Sequence, residues 1–307
     1  MKTRIFEQYK AVLKSDSYFY YETEDISKKE LPLLKKIEII SETKDEKQKV
    51  HNYLELYIEL YQDPILLLLN KALNHLTKLH SDLPLWTFLY EVTKDKVYHR
   101  VKVIRQDYPK FRTHESFAKN QVLSKLWLAE ELQKVSPNKP NVLITCGWSG
   151  LLPYIINDKL PYKTFVKIRS IDINNEATLV ANCLNAEAVK DNYSFKAATA
   201  DAYQVNYVET QLTLVNSKGI SDQELYHYDI LINTSCEHLK DFKQWYDKIP
   251  EGKKIVLQSN NYFDCPEHNN CVASLEDFMT MAPMNHYDFK GALKFNLYTR
   301  FMLIGQK

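Results

Sequence analysis

Residues 141–172 read NVLITCGWSGLLPYIINDKLPYKTFVKIRSID. Val142 to Thr145 are apolar or β-branched, the composition of a buried strand. Gly147 and Gly150 bracket a tight turn, and Leu151, Leu152, Tyr154, Ile155 and Ile156 follow at helical spacing. Phe165 to Ile171 reads as a second strand with Asp172 at its carboxyl end, 22 residues after Gly150. Strand, glycine turn, helix, strand and acid make the layout of a nucleotide-binding βαβ unit. The turn lets backbone approach a ligand, and the acid accepts hydrogen bonds from ribose hydroxyls. C-G-W-S-G is not a full G-x-G-x-x-G, so the spacing to the acid strengthens a weak glycine signal.

Downstream of this unit, strand and helix signals alternate. Strands are expected at 141–146, 165–171, 194–199, 229–233 and 253–258, and helices at 150–157, 174–190, 237–248 and 274–280. Such alternation implies an α/β fold, a Rossmann-like, mainly parallel sheet with helices on both faces. Val208, Thr210, Leu212 and Leu214 alternate and predict a small extra strand or hairpin. Residues 292–306 read as one or two closing strands with no helix between them.

Upstream, residues 1–136 read as a helical N-terminal domain. Ile5, Tyr9 and Leu13, then Val50, Leu54, Tyr57, Ile58 and Tyr61, recur at helical spacing. Asp63-Pro64 supplies an N-cap and a first-turn proline for a helix carrying Leu66, Leu69, Leu73, Leu76 and Leu79. Pro84 to Val92 reads as a further helix, and Val97 to Ile104 fits both periods. Thr113 caps a long helix from His114 to Lys134, with Phe117, Leu123, Leu126 and Trp127 inward. Pro137 and Pro140 stop it and set the boundary with the domain 137–307.

Composition bounds the partners. Across 307 residues, 45% are hydrophobic and 26% charged, which are globular values, and the net charge is +1. A neutral total gives no strong case for a nucleic-acid or membrane partner, although a basic patch at Lys94–Lys110 stays open. Ile65 to Leu69 is too short for a membrane span. The five cysteines, an odd number without framework spacing, suggest a reducing compartment such as the cytoplasm. MKTRIFEQYK is charged and lacks the apolar core of a signal peptide.

Ligands of open α/β sheets bind outside the carboxyl ends of the strands. There stand Cys146, Gly147, Trp148, Ser149 and Gly150, then Asp172, Ile173 and Asn174, then Asp201 and Ala202. Asn233, Thr234, Ser235, Cys236, Glu237 and His238 follow the fourth strand, and Ser259, Asn260 and Asn261 the fifth. Each has a plain structural reading too: a strand-to-helix turn for the glycines, a helix cap for Asp172, first-turn charge for Glu237. Cys265-Pro-Glu-His268-Asn-Asn-Cys271 gathers metal-ligand residue types. Zinc takes four ligands, or three and water, and no second Cys/His pair lies nearby in sequence, so no metal is expected.

About 141–307 resembles the class I S-adenosylmethionine-dependent methyltransferase superfamily, of the small-molecule type. The glycine turn and Asp172 resemble its first loop and ribose-binding acid, and Asp201-Ala202 its adenine-side pair. Tyr228 to Leu239 (YDILINTSCEHL) resembles its fourth strand and E-H-L turn, Ile249 to Leu257 its L-x-P-G-G-x-L approach to strand five, and Pro266 to Asp277 the E-H segment that follows. The loop diverges: aligned on Gly150, Ile144, Cys146 and Trp148 stand where the family has an acid and two glycines.

The resemblance implies S-adenosylmethionine as cofactor, bound by Gly147, Trp148, Gly150, Asp172, Ile173, Asp201, Ala202, Asn233 and Ser235. It implies methyl transfer to a small molecule, with His238, Glu237, Asn233 and Ser235 as catalytic candidates and the helical region as a cap over the substrate. His238 is a plausible base because its ordinary pKa is near neutrality. Asn233 is followed by Thr-Ser, not by the Pro-Pro-Tyr of nucleic-acid amino-methyltransferases. Two other readings stay open. Nicotianamine-synthase-like and azetidine-2-carboxylate-synthase-like enzymes use the same fold to attack the aminobutyrate carbon and release methylthioadenosine. A degenerate Rossmann module would bind a partner without catalysis.

Overall fold

The computed structural model describes residues 44, 48, 96–116, 119–136, 139–160, 165–216 and 218–307. The helices expected within 4–14, 50–61, 64–79 and 84–92 lie outside them. The chain divides into two compact units, Met1–Lys119 and Asn120–Lys307. In the first, α1 (Lys96–Asp107) decides the open reading of Val97 to Ile104 as helix, because Val97, Val101 and Ile104 fall on one buried face. A short α2 follows (Thr113–Ser116).

The second unit opens with α3 (Lys119–Val135), which runs up to the expected proline stop. Then come β1 (Val142–Thr145), α4 (Leu151–Lys159), β2 (Ile168–Asp172), α5 (Asn175–Leu184), α6 (Ala186–Lys190) and β3 (Phe195–Thr199). A hairpin of β4 (Thr210–Val215) and β5 (Ser221–Tyr226) precedes β6 (Ile230–Asn233), a 3₁₀ turn (Cys236–His238) and α7 (Phe242–Asp247). The chain ends with β7 (Lys254–Asn260), α8 (Leu275–Met281), β8 (His286–Lys294) and β9 (Thr299–Gln306).

The seven-stranded sheet runs β3-β2-β1-β6-β7-β9-β8. β3, β2, β1, β6 and β7 are parallel, while β9 pairs antiparallel with both β7 and β8. β1 and β6 are buried along their whole length, as near-continuous apolar runs in a parallel sheet require. α5 lays Ala177, Val180, Ala181 and Leu184 inward, and α3 is tied to β7 through Gln258 Nε2 to the Ser124 carbonyl (3.1 Å) and Lys254 Nζ to the Val135 carbonyl (2.7 Å). Opposite, Trp245 donates to Tyr207 Oη and Tyr207 Oη to the Ala202 carbonyl, both at 2.8 Å. Several of the many tyrosines are therefore core rings with a satisfied hydroxyl.

Four boundaries differ from expectation: the closing strands expected within 292–306 begin earlier, at His286, where β8 pairs with the end of β9. β2 starts at Ile168, because Val166 turns its amide to the Pro140 carbonyl (3.1 Å) instead of to a strand. The helix expected over 174–190 breaks at Asn185, whose side chain donates to the Ala181 and Gly150 carbonyls at 2.9 Å each. The helix expected over 237–248 is a 3₁₀ turn and then a helix capped by Asp241, whose carboxylate accepts from Gln244 N at 2.9 Å.

The β4–β5 hairpin forms its own two-stranded sheet, as the alternation at 208–214 predicts. Arg169, 1% exposed on β2, grips Glu224 of β5 through Nε to Oε2 (2.5 Å) and Nη2 to Oε1 (2.9 Å). This two-pronged bond joins the hairpin to the sheet. Burial acts to raise the Glu224 carboxyl, but the Arg169 contacts outweigh it and hold the group below its usual range. A depressed carboxylate contributes stability above its unfolded pKa and loses it as pH falls through the folded value. Glu224→Gln is expected to cost about 1–3 kcal/mol at pH 7, with the gap to wild type closing in acid. Urea unfolding at the two pH values measures it, and a gap independent of pH would refute the assignment.

Among the described residues no helix is long and apolar enough to cross a membrane, and all five cysteines are free thiols.

Candidate functional site

The strand order reverses direction of winding between β1 and β6, where Thr145 is paired with Asn233. A crevice at such a switch point, outside the carboxyl ends of the strands, is where open α/β sheets bind ligands.

The loop after β1 is tightly built. Cys146, Trp148 and Gly150 have φ of 54°, 46° and 70°, so two non-glycine residues occupy the left-handed region. Both glycines answer to packing. A Cβ on Gly147 would lie 1.9 Å from Ser170 Oγ on β2, and one on Gly150 2.8 Å from Ala181 Cβ on α5. The loop amides are used internally: Gly147 N to the Ile171 carbonyl (3.1 Å), Trp148 N to Asp172 Oδ2 (2.9 Å) and Gly150 N to the Gly147 carbonyl (3.1 Å). Burial, reinforced by the Asp172 charge, pushes the Cys146 thiol up to about 12, so it stays protonated and is no nucleophile.

Asp172 ends β2 and holds two backbone amides, Trp148 N on Oδ2 and Asn174 N on Oδ1, at 2.9 Å each. It is not the cap of α5; Asn174 is, accepting from Glu176 N and Ala177 N. Ile173, next to it, is 71% exposed. Asp201 closes an Asx turn with Tyr203 N (2.9 Å) beyond β3, and Ala202 is buried under Tyr207. Tyr203 Oη accepts from Asp241 N (2.9 Å), tying that turn to the start of α7.

Across the crevice, Asn233 is fully buried; its Oδ1 accepts from Ser235 N (2.8 Å), and its Nδ2 faces Cys146 Sγ at 4.0 Å. Ser235 is half-buried. Glu237 is different: it is 2% exposed, with Oε1 accepting from Asn260 Nδ2 (2.7 Å) and Arg300 Nη1 (2.8 Å). His238, beside it, keeps an exposed edge; crowding by neighbouring atoms acts to lower its imidazole below the ordinary value. Trp148 is thus bonded to Asp172, Ile173 follows Asp172 at the end of β2, Asp201 and Ala202 lie beyond β3, and Asn233 and Ser235 stand at the end of the neighbouring β6.

A parallel sheet with acids at the ends of β2 and β3, closed by an antiparallel hairpin whose last strand slots beside β7, is the arrangement the sequence resemblance implies. The fold is Rossmann-like, a mainly parallel seven-stranded sheet flanked by helices. Similar solved structures include a magnesium protoporphyrin IX methyltransferase from Synechocystis PCC 6803 with bound S-adenosylhomocysteine, at 10% identity, covering 72% of this chain and 99% of that one, TM-score 0.45. Another is the N-methyltransferase NodS from Bradyrhizobium japonicum WM9, at 11% identity, covering 60% and 95%, TM-score 0.43. No protein-family model matches the sequence, and no curated protein matches it.

Reading the sequence misses Arg300, Lys125 and the spatial partners of His268. Arg300 is 3% exposed on β9, and its signal was a lone charge inside the apolar run Arg-Phe-Met-Leu-Ile-Gly. Lys125 on α3 is lowered to about 7 by burial and then by the Arg300 charge, with Glu237 acting against them.

Proposed function

We propose that the chain is an S-adenosylmethionine-dependent methyltransferase acting on a small molecule. The observation that carries this reading is the pairing of Asp172 with the 71% exposed Ile173 at the mouth of the sheet. An exposed isoleucine beside a half-buried carboxylate is a poor surface for water and a fitting one for an adenosine. A carboxylate offers about four acceptor sites, so Asp172 can take ribose hydroxyls while it keeps the Trp148 and Asn174 amides. Ile173 supplies an apolar wall for the base, and Asp201 an acceptor at the end of the next strand.

When bound, the cofactor supplies a methyl carbon activated by its sulfonium. The residues present fit its adenosine half well and its amino-acid half in an altered way. Gly147, Trp148 and Gly150 spend their amides inside the loop, so Asn233 and Ser235 across the crevice take over the amino-acid end. The protein's main contribution is then proximity and orientation of the acceptor. The neutral total charge supports a small acceptor over a nucleic acid, and the free thiols support a reducing compartment such as the cytoplasm.

The test is calorimetric titration with S-adenosylhomocysteine, followed by incubation with S-adenosylmethionine and mass spectrometry of the nucleosides. Binding without accumulation of methylthioadenosine is expected. Methylthioadenosine above the spontaneous background would replace methyl transfer by attack on the aminobutyrate carbon, and absence of binding would leave a non-catalytic module.

A further inference from the structure

Beside the crevice, a second polar cluster stands at the carboxyl ends of β6 and β7. The segment 262–272 folds over the turn after β6, with Asn269 N and Asn270 N both on the Glu237 carbonyl (2.7 and 3.1 Å) and Val272 N on the Asn260 carbonyl (3.0 Å). This brings His268 against His238, ring centroids 4.6 Å apart and nearly perpendicular. One ligand atom from each of Glu237, His238 and His268 lies within 4.8 Å of the others.

Two features set this cluster apart from ordinary packing. First, Glu237 Oε2 is buried and has no hydrogen-bond partner, while Oε1 holds both Asn260 and Arg300. A buried carboxylate oxygen without a donor is costly, and a cation beside it removes the cost. Second, both imidazoles are oriented by backbone. His268 Nδ1 lies 2.9 Å from the Tyr262 carbonyl, which only accepts, so Nδ1 carries the proton and Nε2 keeps its lone pair. The His238 ring also hydrogen-bonds the backbone of Glu267. An imidazole that donates one N–H to a carbonyl and turns the other nitrogen to a cation is the usual outer-shell pattern of metal-binding histidine.

We propose that Glu237, His238 and His268 form a binding site for one divalent transition ion. Two imidazoles and a carboxylate suit zinc or ferrous iron, and three protein ligands leave a position open. Ion–ligand bonds of roughly 2.0–2.2 Å draw the three groups together. On the methyltransferase reading, the open position takes an oxygen of the acceptor, next to the crevice, and the ion polarises that oxygen. His238 then serves as a ligand rather than as the base the sequence suggested. Ion binding itself does not depend on that reading.

The test uses the full chain, stripped with chelator and titrated with Zn²⁺ alone, with S-adenosylhomocysteine binding measured in parallel. Wild type is expected to hold one ion per chain, and His238→Gln and His268→Gln each to weaken it on the order of 100-fold. S-adenosylhomocysteine affinity is expected to stay within about twofold in both variants, which also reports that they are folded. Zinc is expected to raise the melting temperature of wild type and not of the double variant. No ion in wild type, or equal ion binding by the double variant with its cofactor binding intact, overturns the site. Ion binding by a wild type that takes no S-adenosylhomocysteine would keep the site and reject the methyl-transfer role.

Discussion

Asp172→Asn is expected to weaken S-adenosylhomocysteine binding by about 100- to 1000-fold, some 3–4 kcal/mol. The carboxylate has two duties. On the proposed reading it offers charged acceptors to the ribose hydroxyls, each such bond being worth about 1.5–3 kcal/mol. It also pins the first loop, because Trp148 N and Asn174 N occupy different oxygens of the same group. In asparagine one of those oxygens becomes an amide nitrogen, and in both orientations it meets a backbone N–H. The loop bearing Trp148 thus loosens as the ribose loses its acceptor. Isothermal titration measures the loss, and a change below threefold would remove Asp172 from the cofactor site.

The same residue sets an acid limit. Burial pushes the Asp172 carboxyl up, while the Asn174 and Trp148 amides pull it down, and the balance lies above its ordinary value. On the same reading ribose hydroxyls donate to the ionised form, so affinity should fall as pH falls through that raised pKa, earlier than for an ordinary aspartate. The sign for folding is opposite: a carboxylate raised in the folded state makes the fold less stable as pH climbs through the same window. The acid limb of binding is expected to vanish in Asp172→Asn.

What could be read from the sequence follows from how local each signal is. Val142 to Thr145 and Ile230 to Asn233 are apolar because both faces of a parallel strand are covered, so composition alone identifies them. Asp172 is legible because strand end and acid are adjacent in the chain. Phe165 to Lys167 mislead because apolar composition reports burial, not pairing: Phe165 is buried while Val166 is exposed, and neither joins a strand. Asn185 breaks a helix by reaching for the Gly150 carbonyl, 35 residues back, a bond that no local pattern contains. His268 is instructive in the same way. Within its own segment it sits between Cys265 and Cys271, with no second Cys/His pair nearby in sequence. Its partners in space, Glu237 and His238, are on the far side of β7 in sequence, so only the fold of 262–272 over the β6 turn brings them together.

Arg300→Met is expected to cost about 3–5 kcal/mol, because it strands the Glu237 carboxylate in the interior. Arg300 Nη1 bridges Glu237 Oε1 (2.8 Å) and the Thr234 carbonyl (3.3 Å), so one guanidinium joins β9 to the turn that follows β6. The bond spans 63 residues and crosses β7 in the sheet. Without it, Glu237 keeps one neutral donor, Asn260 Nδ2, and the charge of Lys125 nearby. Lys125 partly compensates: loss of the Arg300 charge lets its ammonium titrate higher than about 7, so more of it is charged at neutrality. At roughly 2–4 °C per kcal/mol for a unit of this size, the melting temperature should drop by about 6–20 °C. Adding Glu237→Gln should recover much of the loss, since the double variant buries no unpaired carboxylate, and the cycle should show strong coupling. A purely additive double variant would mean that Arg300 acts by packing alone. Strong coupling would mean that the ion pair itself holds the turn after β6.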